Sequence, residues 1–230
     1  GQIFKDLGLN YFGPIDGHDF RILTETVNDI KHLNGPVLLH VITEKGRGFE
    51  PAHQNPIQYH SAGKFELCEG KIKESANDSR KVSYTKVFGN TLVELAKTDP
   101  KVVGITAAMP DGTGIVSFGN KFPDRFYDVG ICEQHAVGLA NGLSAGGLKP
   151  VVAIYSTFLQ RAYDQVFHDI CLQGNGVVFA LDRAGVVGND GPTHNGLFDI
   201  SYLRNLPGII LMAPKDGNEL TSMLKIALES

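Results

Sequence analysis

The chain has 230 residues, a formal net charge of −4, and 42% hydrophobic against 20% charged residues. This balance is ordinary for a globular protein, and the weak negative charge gives no reason to expect a nucleic acid or an anionic membrane surface as a partner. The three cysteines lack metal-ligand spacing, so free thiols are expected. No apolar run approaches the roughly 20 residues of a membrane span, and no signal peptide opens the chain. It starts at Gly1 without an initiator Met, and we expect a fragment of a longer protein.

Residues 1–45 have the pattern that ends an α/β domain. Apolar side chains three and four residues apart predict a helix over residues 20–33, which Gly35 and Pro36 end. The short apolar run Val37–Ile42 predicts a buried strand. The sequence then becomes rich in Gly, Pro and charged residues, which predicts an interdomain linker over residues 46–80.

In residues 81–230, short apolar runs alternate with segments whose apolar residues recur three and four positions apart, as on one face of a helix. This alternation predicts a mainly parallel sheet with helices on both faces, the α/β fold class. The last predicted helix begins at Asp216, whose spacing from Glu219 fits a capping box. Strands are predicted at 102–106, 126–129, 151–155, 177–181 and 209–212, and earlier helices at 87–95, 115–121, 133–145 and 158–172.

Three polar clusters follow predicted strands, at residues 130–135, 155–161 and 182–194. Loops at the carboxyl ends of parallel strands converge in space, and ligands of open α/β sheets bind there. The coincidence of the three clusters therefore predicts a functional site at this edge of the sheet.

Glu133 stands where a predicted strand gives way to a helix rich in small residues. A carboxylate at this point lies at the mouth of the sheet, where ligands bind. An alternative is that Glu133 only favours the positive end of the helix dipole. The stretch alone does not decide between the two.

The second and third clusters carry further candidates. Tyr155 and Phe158 are suited to wall an aromatic ring, and Arg161 to hold an anion. Alternatively, Phe158 belongs to the core and Arg161 pairs with a nearby aspartate, which the spacing slightly favours. In the long loop after the fourth strand, Arg183 is suited to bind phosphate and Asp190 and His194 to exchange protons, although such charges also occur on plain surface loops.

Five motifs, in order along the whole chain, closely resemble the 1-deoxy-D-xylulose-5-phosphate synthase family of transketolase-like thiamine-diphosphate enzymes. They are YFGPIDGH at 11–18, KGRGFEP at 45–51, EQHA at 133–136, YSTFLQRAYDQ at 155–165, and DRAG at 182–185 with DGPTH at 190–194.

The resemblance implies that residues 1–45 end a diphosphate-binding domain and residues 81–230 form a nearly complete pyrimidine-binding domain. It implies condensation of pyruvate with glyceraldehyde 3-phosphate, with loss of carbon dioxide, to a precursor of isoprenoids, thiamine and pyridoxal. Thiamine diphosphate and Mg²⁺ would be the cofactors, with the metal ligands in a part of the family that this chain lacks. A homodimer in the bacterial cytoplasm, or in a plastid stroma, is implied, and the chain alone is expected to be inactive.

The resemblance also implies roles for particular residues. Glu133 matches the glutamate that hydrogen-bonds the cofactor's pyrimidine nitrogen and drives its imino tautomer. Phe158 matches the aromatic residue on that ring, with Tyr155 and Arg161 beside it as further cofactor contacts. Phe49 stands where the family commonly has a tyrosine that contacts the cofactor, so a hydroxyl is missing there.

On the substrate side, Arg183 resembles the arginine that grips the acceptor's phosphate. Asp190 and His194 resemble residues that line the acceptor channel and serve proton transfer. His60 resembles a histidine near the donor-derived intermediate, although an isolated histidine is more often an ordinary residue. Two alternatives stay open: another transketolase-like transferase, such as a transketolase or a pyruvate dehydrogenase component, and a non-catalytic pyrimidine-domain module.

Overall fold

The structure, a computed structural model, describes residues 1–57, 59–60, 83–187 and 190–229. The chain divides into two compact units, Gly1–Asn77 and Asp78–Ser230. Most of the predicted linker, residues 46–80, lies outside the described residues. Among the helices of the described ranges, none combines the length and apolar character that crossing a membrane requires.

The first unit is built on two parallel strands, β1 (Asn10–Asp16) and β2 (Val37–Ile42). The strand predicted at 37–42 is confirmed, but its predicted burial is not, since each of its residues is half-buried or exposed. Strand β1 was not predicted because Gly13 and Pro14 interrupt its apolar pattern and its register. The predicted helix at 20–33 ends three residues early. Among the described residues of this unit, the helices are α1 (Gln2–Asp6), α2 (Phe20–Ile30) and α3 (Glu50–Gln54).

The second unit contains a four-stranded parallel sheet. Its strands are β3 (Val102–Thr106), β4 (Phe126–Asp128), β5 (Lys149–Tyr155) and β6 (Val178–Asp182), in the order β4-β3-β5-β6. The helices around it are α4 (Tyr84–Thr98), α5 (Pro110–Thr113), α6 (Val116–Lys121), α7 (Glu133–Ala145), α8 (Ser156–Leu159), α9 (Tyr163–Gln165), α10 (Asp199–Leu203) and α11 (Gly217–Glu229).

Side chains on the two faces of the central strands pack into two separate hydrophobic cores. Ile105 and Ile154 point to one core with helix α7, whereas Val102 and Val151 point to the other with α4, α6 and α11. All four of these side chains are fully buried, and burial of each is worth about 1.5–3 kcal/mol. The predicted parallel sheet with helices on both faces is thus confirmed.

The predicted helix at 158–172 is confirmed as a helical segment, which begins at Ser156, but its hydrogen bonding is irregular. A 3₁₀ turn at Gln160–Ala162 and a π-helix at Val166–Cys171 follow α8 and α9 in alternation. Leu159, Ala162 and Val166 are fully buried, at spacings of three and four residues. Residues three and four apart share one face of a helical segment, so the segment keeps these side chains on the core despite its irregular hydrogen bonding.

The predicted strand at 209–212 is wrong. These residues form no ladder with another strand within the described part of the chain. Ile210, Leu211 and Met212 are 73%, 42% and 40% exposed. An apolar run identifies a buried strand only when a neighbouring strand and a covering layer are both in place. The helix that follows agrees with its prediction: Asp216 accepts from the Glu219 amide at 2.9 Å, and the Glu219 carboxylate accepts from the Lys215 amide at 2.7 Å.

Candidate active site

Glu133 is the first residue of α7 and follows β4 at the carboxyl edge of the sheet. The residue is only 4% exposed, and within the described residues its carboxylate accepts no hydrogen bond from the protein. Buried carboxylates are normally paired because an unpaired buried charge is costly. The helix N-terminus offsets part of that cost through its dipole. A buried carboxylate without a protein partner is typical of a ligand-binding site.

Asp128, the last residue of β4, holds the loops around Glu133. Its Oδ1 accepts hydrogen bonds from the backbone amides of Ala108 at 2.8 Å and Gly130 at 3.0 Å. Ala108 follows β3 and has a left-handed backbone with φ 61°, which a residue with a side chain rarely adopts. Asp128 therefore stabilises a strained loop on the next strand, a function that the sequence analysis missed.

Tyr155 and Phe158 form an aromatic wall at the end of β5. Their rings are stacked with centroids 5.6 Å apart and planes 10° from parallel. His194 meets both rings edge-on, with centroids 6.1 Å from Tyr155 and 5.4 Å from Phe158. Arg161 lies over Phe158 at 5.7 Å on the exposed rim. Within the described residues it forms no ion pair, and Asp164 binds His168.

Arg183 follows β6 and is fixed by four hydrogen bonds. Its Nε donates to Asp190 at 2.8 Å, and its Nη1 donates to Asp182 at 2.8 Å and to the carbonyl of Gly112 at 2.7 Å. Its backbone amide also donates to Asp182, at 2.8 Å. The guanidinium carbon lies 4.5 Å from the centre of the Tyr155 ring. Arg183, Asp190, Tyr155 and His194 thus form one connected group, as their positions after parallel strands predicted.

Burial and the neighbouring charges of this group shift the pKa values of Arg183 and Tyr155. Burial alone would lower the pKa of Arg183, but hydrogen bonds to Asp182 and Asp190 raise it above its ordinary value. Burial raises the pKa of the Tyr155 phenol, an effect that Arg183 opposes and the two aspartates reinforce. The arginine therefore stays charged and the phenol stays neutral near pH 7.

Gly112 is a further site residue that the sequence analysis did not identify. A Cβ atom at this position would lie 1.9 Å from the Tyr155 hydroxyl, so only glycine allows the ring its position. Its carbonyl also accepts from Arg183. Nothing in the local sequence marks this contact, since Gly112 lies in α5 after a different strand.

Two predicted site residues lie in the first unit. Phe49 is the N-cap residue of α3, and its ring packs edge-on against Tyr59 with centroids 5.6 Å apart. His60 is exposed, and its amide donates to the carbonyl of Ile57 at 3.2 Å. Their functional roles stay predictions.

The site combines a largely buried carboxylate, an aromatic wall and an anchored arginine along one sheet edge. Glu133 follows β4 and Tyr155 ends β5, with β3 between them, so about 10 Å separates their strands. No group of three metal-ligating side chains occurs in the described ranges.

The fold is an open parallel α/β domain that carries polar, charged and aromatic side chains at the carboxyl edge of its sheet. A family model described as transketolase, pyrimidine binding domain, matches residues 80–230, and one described as 1-deoxy-D-xylulose-5-phosphate synthase matches residues 1–43. The chain belongs to the transketolase pyrimidine-binding domain family.

Similar proteins carry consistent names. The chain is 58% identical over 228 residues to 1-deoxy-D-xylulose-5-phosphate synthase 1 of Geobacter sulfurreducens, covering 99% of this chain and 36% of that protein. It is 56% identical over 229 residues to the synthase of Heliobacterium modesticaldum, covering 100% of this chain and 35% of that protein. The chain thus spans about a third of the length of these relatives.

Solved structures share the fold of the second unit. A split gene transketolase, described as an inactive β4 tetramer, is 31% identical with a TM-score of 0.58, covering 65% of this chain and 48% of that chain. Transketolase from Leishmania mexicana is 25% identical with a TM-score of 0.57, covering 64% of this chain and 23% of that chain.

Proposed function

We propose that this chain is part of a 1-deoxy-D-xylulose-5-phosphate synthase, which condenses pyruvate with D-glyceraldehyde 3-phosphate and releases carbon dioxide. The observation that carries the proposal is identity of 54–58% to proteins of that name over 99–100% of this chain. The buried, unpartnered Glu133 opposite a stacked aromatic pair supports it from the geometry.

The described residues fit the pyrimidine half of thiamine diphosphate. When bound, this cofactor supplies the carbon nucleophile that carries a two-carbon unit from pyruvate to the acceptor. Glu133 would hydrogen-bond the pyrimidine nitrogen and hold its proton, in a crevice where the exclusion of water strengthens the bond. Phe158 and Tyr155 would pack on or beside the ring, and Arg161 would contact the cofactor from the rim.

The acceptor would bind along the edge beyond β5 and β6. Arg183 would grip its phosphate, since a guanidinium binds phosphate oxygens through two parallel hydrogen bonds. Asp190 and His194 would exchange a proton with the developing alkoxide. Within the described residues His194 Nε2 makes no hydrogen bond, while Nδ1 lies 3.0 Å from the Thr193 hydroxyl, so Nε2 is the atom that is ready for substrate.

Further parts of the proposal rest on the family resemblance. His60 would approach the donor-derived intermediate, and Phe49 would contribute packing without the usual hydroxyl. Mg²⁺ would accompany the diphosphate, with ligands outside this chain. The protein would work as a homodimer in the cytoplasm.

The test uses the protein as expressed from its natural gene, with pyruvate, D-glyceraldehyde 3-phosphate, thiamine diphosphate and Mg²⁺. We expect 1-deoxyxylulose 5-phosphate and carbon dioxide in equal amounts, with no product when the cofactor is omitted. Preferred use of xylulose 5-phosphate as the donor would identify a transketolase instead. Absence of both turnover and thiamine diphosphate binding would identify a non-catalytic module.

A further inference from the structure

The contacts of Arg183 leave one edge of its guanidinium for an anion. Nη1 has two N–H groups, and both are used, by the Gly112 carbonyl and by Asp182. Within the described residues Nη2 has no acceptor. A phosphate that binds through two parallel hydrogen bonds therefore needs the edge formed by Nε and Nη2. Asp190 already occupies half of that edge, because its Oδ2 accepts from Nε at 2.8 Å.

Arg183 and its other carboxylate partner are held more firmly than Asp190. The Asp182 side chain is 18% exposed and also accepts from the Thr85 hydroxyl at 2.8 Å. The Arg183 carbonyl accepts from the Gly196 amide at 3.1 Å. The Asp190 side chain is 36% exposed, and its bond to Arg183 is its one hydrogen bond within the described residues. When an anion competes for Arg183, Asp190 is therefore the partner that can leave.

We propose that Asp190 occupies the place of the acceptor's phosphate on Arg183, and that a phosphorylated acceptor exchanges with it. Phosphate oxygens take over Nε and Nη2, and the Asp190 carboxylate is released beside the acceptor's hydroxyl groups. This inference rests on the proposed function, in which Arg183 binds that phosphate. It makes the Arg183–Asp190 pair a determinant of specificity, because an unphosphorylated aldehyde leaves Asp190 bound to the arginine and unavailable.

The first test measures the affinity of inorganic phosphate, as a competitor of the phosphorylated acceptor, in the protein expressed from its natural gene. Asp190→Asn removes the competing charge, so phosphate should bind about fivefold tighter, the equivalent of one partly exposed ion pair. Arg183→Ala should bind phosphate more weakly than the wild type. Asp124→Asn is the matched control, since this exposed aspartate precedes β4 at the opposite edge of the sheet. Its phosphate affinity should not change.

The second test separates exchange from a general effect of charge. In a crystal structure with bound phosphate, the distance from Arg183 Nε to Asp190 Oδ2 should increase from 2.8 Å to beyond hydrogen-bonding range. Phosphate bound to Arg183 with this pair intact would overturn the exchange and leave the phosphate-binding role of Arg183 standing. Unchanged phosphate affinity in Arg183→Ala would instead overturn that role itself, and the exchange with it.

Discussion

The hydroxyl of Ser156 donates a 2.8 Å hydrogen bond to the carboxylate of Asp199, and both side chains are buried. Ser156 directly follows Tyr155 and begins α8, whereas Asp199 begins α10, 43 residues later. Gly196 packs so closely on this pair that a Cβ there would lie 2.3 Å from the Ser156 hydroxyl oxygen. The pair therefore joins the aromatic wall to the end of the loop that carries His194.

Asp199→Ala should lower the free energy of unfolding by about 1–3 kcal/mol, because it leaves a buried hydroxyl without its acceptor. Asp199→Asn retains one acceptor oxygen and should recover part of that loss. Urea unfolding with an unchanged m-value measures both effects. The control is Asp164→Ala, whose partner His168 is exposed and whose loss should cost less than about 1 kcal/mol. Equal losses in Asp199→Ala and the control would contradict a structural role for the buried pair.

Gly112→Ala should displace Tyr155, because the added Cβ would overlap its hydroxyl. Overpacking of this kind typically costs about 1–3 kcal/mol. We expect kcat to fall roughly tenfold, since displacement of a binding group by about 1 Å can cost more than that. Adding Tyr155→Phe removes the clashing oxygen and should restore part of the stability.

Gly142→Ala provides the comparison for Gly112→Ala. Gly142 lies in α7, and a Cβ there would meet nothing within 4 Å, so alanine should stabilise the helix slightly. Thermal unfolding and steady-state kinetics of the three variants check these expectations. A Gly112→Ala protein as active as Gly142→Ala would show that Tyr155 does not depend on the glycine.

The sequence predicted the parts of the fold and site that depend on periodicity. The bounds of α7 agree with its prediction, and Glu133 lies at its start as expected, because the change from strand to helix pattern is sharp there. The strands β3, β5 and β6 are apolar and bounded by turn residues, so their order along the chain places Tyr155 and Arg183 on one edge.

The remaining features depend on contacts between distant residues, which periodicity does not report. Gly112 and Tyr155 lie in different segments of the chain, and nothing local signals that one must lack a side chain to make room for the other. The prediction of a strand at 209–212 was wrong because an apolar run indicates that residues can be buried. It does not indicate that a neighbouring strand is present to pair with them. Asp199 was missed because its partner is a serine in another segment.

Glu133→Gln should lower activity without lowering stability. In the protein expressed from its natural gene, loss of the carboxylate should lower kcat at least about 100-fold, the usual range for a group that controls a proton. Because Glu133 is buried without a protein partner, the neutral side chain should raise the free energy of unfolding by about 1 kcal/mol. Gln134→Ala, at the exposed neighbour, should leave both quantities nearly unchanged. Near-normal turnover of Glu133→Gln or Glu133→Ala would refute the proposed role.

Arg183→Ala should raise the apparent KM for the phosphorylated acceptor far more than the KM for pyruvate. The reason is that only the acceptor carries a phosphate for the guanidinium to bind. Initial-rate kinetics in which each substrate is varied separately measure the two constants. An equal increase in both would count against a phosphate contact and favour a role in positioning Tyr155, over which the arginine lies.

Arg125 lies away from the candidate site, and we expect its contacts to stabilise the fold. Its guanidinium donates to the carbonyls of Ala96 at 3.0 Å, Asp99 at 3.1 Å and Val102 at 3.3 Å, and lies 4.2 Å from the centre of the Phe122 ring. One side chain thus joins the end of α4 to the start of β3. Charge-assisted hydrogen bonds to the end of a helix are stabilising, so Arg125→Ala should lower the free energy of unfolding by roughly 2–3 kcal/mol.

Arg125→Lys should recover only part of the loss in Arg125→Ala, because an ammonium group cannot reproduce the planar fork that reaches separate carbonyls. Arg204→Ala, at an exposed arginine, should change stability by less than about 0.5 kcal/mol. Urea unfolding measures all three variants. The kcat of Arg125→Ala per folded molecule should remain that of the wild type, because α4 ends and β3 begins at the edge of the sheet opposite Glu133 and Tyr155. A fall in kcat without a loss of stability would show that this end of the sheet is coupled to the site.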